Sequence, residues 1–214
     1  MNNINAIKHD SNYLIFAYIA MFLVMFILPF FSLENYSILK NTTSHLGAQN
    51  TPNAGIMNVV FVLLGTTSII GGWRFLGKYW FHKIALIGFG ASVILTAFYQ
   101  HAPIDNLLEY NTKEDEMHSL FAKTTGWSFT IFAVAIAFIS KNRSQQILVI
   151  SIAVLAVLLS LMMFYPKTEN LMGVWQRMMF ILSFGWMIYT FRKYELRAVD
   201  QPAGKISKTT KTEV

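Results

Sequence analysis

Three histidines stand beside carboxylates and amides in the polar stretches of an otherwise apolar chain. His45 lies in NTTSHLGAQN (residues 41–50), His101 ends one apolar run and His118 begins the next. Asp105, Glu109, Glu114, Asp115 and Glu116 fall between the last two. Three neutral imidazoles and Asp105 could offer zinc three nitrogens and an oxygen with a position left open, and Ser44 could orient a bound water. Such an ion would acidify its water and support a metal-dependent hydrolase. The spacing argues against it, because no HExxH or other paired-histidine helix motif is present. On a helix turning about 100° per residue, His118 and Lys123 lie about 140° apart and share no stripe. The plainer reading is three interfacial histidines bonded to loop carboxylates, with Glu114 to Glu116 a solvated stretch that suits a helix N-terminus. No cofactor is therefore expected, with zinc as the alternative. The chain has no cysteine, which removes disulfides, thiolate catalysis and cysteine metal sites.

A second constellation sits on the last apolar run, where Gln176 and Arg177 are adjacent. An ionised side chain within a membrane segment is a functional candidate by default. Arg177 would favour an anionic group, or it could form an internal ion pair with Glu169. Ser44 and Asn58 add a hydroxyl and an amide near the same level, Asn58 also being placed to cap or bridge helices. Lys123 can snorkel outward. His82, beside Lys83, reads as a headgroup contact, and His9 lies in the polar N-terminal arm. Several of the five tryptophans suit interface anchoring.

The elements that must position these groups follow from composition. Of 214 residues, 54% are apolar and only 13% charged, about half the charged fraction of an ordinary soluble domain, near 25%. Mean hydropathy is +0.44. A helix needs about 20 apolar residues to cross the hydrocarbon core, and six runs reach that length: 13–33, 54–76, 80–100, 117–140, 145–165 and 172–194. Backbone groups find no water in lipid, so each run should be helical. The expected fold is all-α, a bundle of six transmembrane helices over residues 13–194. A cytoplasmic arm (1–12) precedes it, and a basic, disordered cytoplasmic tail (195–214) follows. Pro29 should kink or end the first helix, Thr51-Pro52 should open the second, and Pro103 and Pro166 should stop the third and fifth. Ser68/Gly72 and Gly88/Ser92 suggest a close seam between the second and third spans.

Basic residues set the orientation. With the N-terminus in the cytoplasm, 12 of the 17 Lys and Arg fall on that side and seven of the 11 acids on the other. Both termini are then cytoplasmic, in a cell inner membrane, and the polar stretches 34–53 and 101–116 face outward. The net charge of +6 is a topology signal plus a basic tail near anionic lipid. Without a recognition motif it does not indicate nucleic acid.

The segment NTTSHLGAQNTPNAGIMNVVFVLLG (residues 41–65), IGFGASVILTAF with a following loop that carries Asp105, and MHSLFA opening the fourth run together resemble the six-span bacterial and archaeal membrane family known as domain of unknown function 998. The resemblance implies the topology and a site map: Ser44, Leu46, Gly47, Ala48, Pro52, Asn58, Pro103, Asp105 and His118 match its recurrent positions. His45 stands where that pattern has an acidic residue, which leaves Asp105 and His118 as the better pair. A more distant likeness is to the damage-regulated autophagy modulator and Frag1/Sfk1 membrane proteins, which share the entry to the second helix and the histidine opening the fourth.

Three functions compete. The preferred one is a non-enzymatic protein of the lipid bilayer that binds a lipid headgroup, small-molecule solute or partner at its outer face, through Ser44, Asn58, Asp105, His118, Gln176 and Arg177. The second is a zinc hydrolase using His45, His101, His118 and Asp105. The third, a small transporter, lacks a matching polar set at midplane and any inverted repeat.

Overall fold

The computed structural model describes residues 2–105, 107–194 and 196. Its helices are α1 (Asn2–Ile27), a single short turn α2 (Thr43–Leu46), α3 (Ala54–Trp73), α4 (Trp80–Phe98), α5 (Thr112–Ile139), α6 (Arg143–Phe164) and α7 (Met172–Lys193). Among the described residues the only strand-like pairing is an isolated bridge between Ser140 and Leu196. The remainder of the basic tail lies outside the described residues.

Each boundary has a local cause. α1 stops at Ile27, and Pro29 continues the chain as a 3-10 turn, Leu28–Phe31. Pro166 likewise opens a 3-10 turn after α6. Pro103 lies beyond the end of α4, in the following loop. Thr51-Pro52 does not begin α3. The helix starts at Ala54 behind Asn53, whose φ of 60° is the left-handed conformation that asparagine tolerates. α5 is capped by Asn111, whose side-chain oxygen accepts from the Lys113 and Glu114 amides at 3.1 and 3.3 Å.

Five segments are long and apolar enough to cross a bilayer: Asn5–Phe31, Ala54–Trp73, Trp80–Phe98, Thr112–Ile139 and Arg143–Met163. α7 is 22 residues long but falls outside this group, because Gln176 and Arg177 lower its hydropathy. Its packing is nevertheless that of a full partner to α1. Near its start, Arg177 reaches the Met25 carbonyl (3.4 Å), and near its end Arg192 reaches Asn12 Oδ1 (2.6 Å). α7 therefore lies antiparallel to α1 over the same depth.

The long helices contact one another in chain order, α1 with α3, then α4, α5, α6 and α7, and α7 closes on α1. The interior is aromatic: Phe89, Phe129, Phe132, Phe184, Phe191 and Trp186 are all buried, which places Trp186 in the core and not at an interface. The α3–α4 seam forms at Gly65 and Gly90. A Cβ on either would strike the other's carbonyl oxygen, so hydrogen side chains permit this approach. Gly88 faces Ser128 of α5 and belongs to the next seam, and Gly72 faces Leu86 and Phe191. His82 is also inside: it is buried, and its Nε2–H donates to the Ala135 carbonyl at 3.0 Å, tying α4 to α5. Lys83 is held between Trp73 and Trp80, 4.3 and 4.8 Å from the ring centres.

Candidate functional site

The long polar loops gather at one end of the bundle, opposite the start of α1 at Asn2 and the end of α7 at Lys193. The first of them folds inward. Thr42, Thr43, Ser44 and Leu46 are buried, because α7 provides partners for a segment that would otherwise carry unpaired backbone groups. Gln176 Oε1 accepts from the Thr43 amide (2.7 Å) and hydroxyl (2.5 Å), and Gln176 Nε2 donates to Ser44 Oγ at 3.4 Å. Arg177 is only 3% exposed. Its Nη1 donates to the carbonyls of Ile38, Asn41 and Gly173 at 2.8 to 2.9 Å. Its Nη2 donates to Tyr36 Oη at 2.6 Å, and its Nε reaches Met25. Tyr36 in turn donates to the Thr42 carbonyl at 2.9 Å. Burial holds the Tyr36 phenol above its ordinary pKa, partly offset by Arg177, so it stays protonated for that role. Gly173 permits the contact, since a Cβ there would strike the Asn41 and Ile38 carbonyls.

The donors of Arg177 bond to neutral protein oxygens, which clamps the loop to α7. The side chain of Glu169, the expected ion-pair partner, lies outside the described residues. Asn58 is half committed: its Nδ2 donates to the Gly47 carbonyl at 3.1 Å, bridging α3 to the loop, while its Oδ1 is buried without a hydrogen-bond partner.

The histidines, by contrast, converge. His45 stacks on His101 with ring centres 4.8 Å apart, and His101 stacks on His118 at 5.0 Å with planes 11° from parallel. Hydrogen bonds fix the protons. His45 Nδ1 accepts from the Thr42 amide (3.1 Å) and hydroxyl (2.8 Å), closing a capping box on α2, so its proton is on Nε2. His118 Nδ1 faces two carbonyls, Thr96 at 3.0 Å and Tyr99 at 2.8 Å, and must donate. His101 Nδ1 lies 2.5 Å from Asp115 Oδ1. A carboxylate is far more acidic than an imidazole, so the ring donates there; the Ala102 amide, 2.8 Å from both Nδ1 and Oδ1, then donates to Oδ1. His101 and His118 thus present unprotonated Nε2 atoms. None of the three Nε2 atoms has a hydrogen-bond partner among the described residues, and none is sealed from solvent. Burial, reinforced by the charge His101 and His118 would carry, pulls the pKa of His45 down to about 4, with Asp115 offsetting part of the effect.

Asp105 does not pair with His118. It accepts from the Leu107 amide at 2.9 Å within its own turn, while His118 is bonded to the Thr96 and Tyr99 carbonyls and the carboxylate on His101 is Asp115, which the Asn111 cap sets in the first turn of α5. Gln49 joins the two loops: its amide nitrogen donates to the Gln100 and Asn111 carbonyls, its side-chain oxygen accepts from the Asn111 amide at 2.8 Å, and its backbone amide donates to the His101 carbonyl at 2.9 Å. Sequence reasoning found the three histidines but missed Asp115, Thr42, Tyr36, Gln49 and Asn111 as the residues that order them. The T-x-x-H spacing of Thr42 and His45 was the one available signal.

The geometry does not suit zinc. Lone pairs lie in the ring planes, so nearly parallel stacked rings aim them side by side and not at one point. Among the described residues no three His, Asp or Glu side chains are grouped to hold an ion. The Thr42 hydroxyl on His45 Nδ1 is committed to the helix cap, and Ser44 Oγ accepts from Gln176, so neither hydroxyl is set up as an activated nucleophile.

The fold and site define a multi-pass helical membrane protein with a structured polar cap over one end of the bundle. Residues 16–192 match the family model described as protein of unknown function (DUF998). The match covers most of the chain, which belongs to that family. No curated protein and no solved structure matches.

Proposed function

We propose that this protein is a six-span inner-membrane protein, with both termini cytoplasmic, that binds a small polar solute or lipid headgroup at its extracytoplasmic cap without transforming it. The crossing by α7 is supported by its antiparallel course beside α1 and the orientation by the excess of basic residues on the side of the termini. The recognition groups are His101 and His118, ordered by Asp115 and bordered by His45. Ser44, Asn58, Gln176 and Arg177 shape the cap, and Asp105 shapes its own loop.

One observation carries this reading. Most polar groups of the cap are spent on another protein group, Thr51 Oγ1 and Asn58 Oδ1 apart, whereas each of the three histidines leaves its Nε2 atom unspent, His101 being bonded to a half-buried carboxylate. The test is isothermal titration of the protein in nanodiscs with a panel of headgroup fragments: ethanolamine, choline, glycerol and inorganic phosphate. At least one should bind, and His101→Phe, which keeps an aromatic ring in the stack but removes both nitrogens, should abolish binding. Failure of every fragment to bind, or binding indifferent to His101→Phe, would refute the reading.

A further inference from the structure

At the opposite end of the bundle, Lys83 breaks the rule that a buried charge brings its counter-charge. Lysine is almost never buried unless it is paired, yet Lys83 is only 6% exposed. Its ammonium has no carboxylate and no hydrogen-bond acceptor among the described residues. The side-chain partners it does have are Trp73 and Trp80, whose rings it meets at 4.3 and 4.8 Å from their centres. A ring face attracts a cation, but it leaves the three N–H donors of an ammonium without an acceptor oxygen. The stem is buried while Nζ is not sealed, so an anion from outside can reach it. Trp80 is the first residue of α4. An ammonium over its ring therefore lies at the N-terminal end of that helix, where the helix dipole also favours negative charge.

The neighbouring charges leave this end of α4 positive. Asp10 is held by Arg74 at 3.2 Å, which cancels that pair. Lys78 is exposed in the connection between α3 and α4 and has no ion-pair partner among the described residues. The surface beside the ammonium is apolar. Trp80, Ile84 and Ile87 are all exposed and share one stripe of α4, at positions i, i+4 and i+7. Lys83 stands about 60° from Trp80 around the helix. A tryptophan at the end of a span suits the headgroup level, so the stripe descends from that level into hydrocarbon. An anion that satisfies Lys83 at this depth is one that carries an acyl chain.

We propose that Lys83 binds the phosphate of an anionic phospholipid from the adjoining leaflet. The ammonium donates to phosphate oxygens in charge-assisted hydrogen bonds, Trp73 and Trp80 hold it in place, and an acyl chain lies along Trp80, Ile84 and Ile87. The uncancelled charge of Lys78 favours a headgroup without its own amine, such as phosphatidylglycerol, over a zwitterionic one. This site is separate from the histidine cap and does not depend on it.

The test is native mass spectrometry of the full chain in detergent micelles, titrated with phosphatidylglycerol or with phosphatidylcholine of the same acyl chains. In the unaltered chain the first phosphatidylglycerol should bind about tenfold more tightly than the first phosphatidylcholine, a comparison that needs no variant to fold. Lys83→Gln and Lys83→Met keep a stem for packing and lose the charge, and each should remove most of that preference. Lys83→Arg should retain it. Lys78→Gln should lower it by less than about fivefold, the effect of one exposed basic residue near a charged surface. Equal binding of the two lipids by the unaltered chain would overturn the proposal. So would a preference that survives loss of the Lys83 charge, or one that Lys78→Gln abolishes as fully, since the attraction would then be diffuse. Inorganic phosphate added in large excess should leave the lipid bound; displacement would make free phosphate the ligand and overturn the lipid assignment.

Discussion

Acid should open the cap that His45 closes. In the closed cap His45 Nδ1 must be a lone pair, since it accepts from the amide and hydroxyl of Thr42. A proton there converts the acceptor into a donor and breaks the capping box, while also placing charge beside His101. The opened loop binds that proton with an ordinary imidazole pKa near 6.5, the closed loop only at about 4. Between those values the open form holds more protons, so falling pH favours opening. The stabilising contribution is complete above about pH 6.5, declines as pH falls, and is exhausted below about pH 4. The difference between those two values corresponds to about 3 kcal/mol at the acid limit, and to about a thirtyfold rise in the open population at pH 5.0. The assay is hydrogen–deuterium exchange of the amides in residues 42–49, corrected for the intrinsic pH dependence of exchange. Thr42, Thr43 and Gln49 amides, all bonded in the closed cap, are the reporters. His45→Gln supplies the control, because glutamine completes the same capping box and does not titrate. It should remain closed at pH 5.0. Equal protection at pH 7.5 and 5.0 in the natural chain, or an equally steep acid response in His45→Gln, would refute the reasoning.

Four other outcomes follow from the same contacts. Arg177→Ala leaves the carbonyls of Ile38, Asn41 and Gly173 without their donor and should cost about 1–3 kcal/mol for each group left buried and unpaired, read as a lower melting temperature in detergent and not as a selective loss of binding. Gly173→Ala drives a Cβ into the Asn41 and Ile38 carbonyls and should destabilise by about 1–3 kcal/mol, with extra exchange confined to residues 36–46. Gln49→Ala unzips the two polar loops and should raise exchange at the Asn111 amide, at about 1–3 kcal/mol for the groups left unpaired. Treatment with a metal chelator should leave the melting temperature unchanged, since the stacked rings do not converge on an ion; a drop of several degrees would revive the zinc hydrolase.

The helices were legible because hydrocarbon imposes one rule on every residue of a span, and a run of apolar side chains records it. Pro29 and Pro166 were legible for a similar reason, since proline acts on its own backbone. α7 was read as a span equal to the others, yet its packing depends on Arg177 finding carbonyls that the chain supplies from 152 to 136 residues away. The site was legible as a set of residue types and not as an arrangement. Five acids lie between His101 and His118, and choosing among them required knowing that Asn111 caps α5, which turns Asp115 and not Asp105 toward the ring. Stacking left no periodic trace, because His45, His101 and His118 come from three separate elements. His82 was misread as a headgroup contact, since nothing local reveals that the Ala135 carbonyl waits 53 residues away.

The closure of the helix ring by α7 on α1 bears on synthesis. Until residues 172–193 leave the ribosome, the first five long helices form an arc with a gap, and the carbonyls of Met25, Ile38 and Asn41 lack their cation. The helix made after the other five is thus the keystone. A nascent chain truncated before it would present a polar cleft to lipid, a defect that membrane proteases and chaperones can recognise without reading any other part of the molecule.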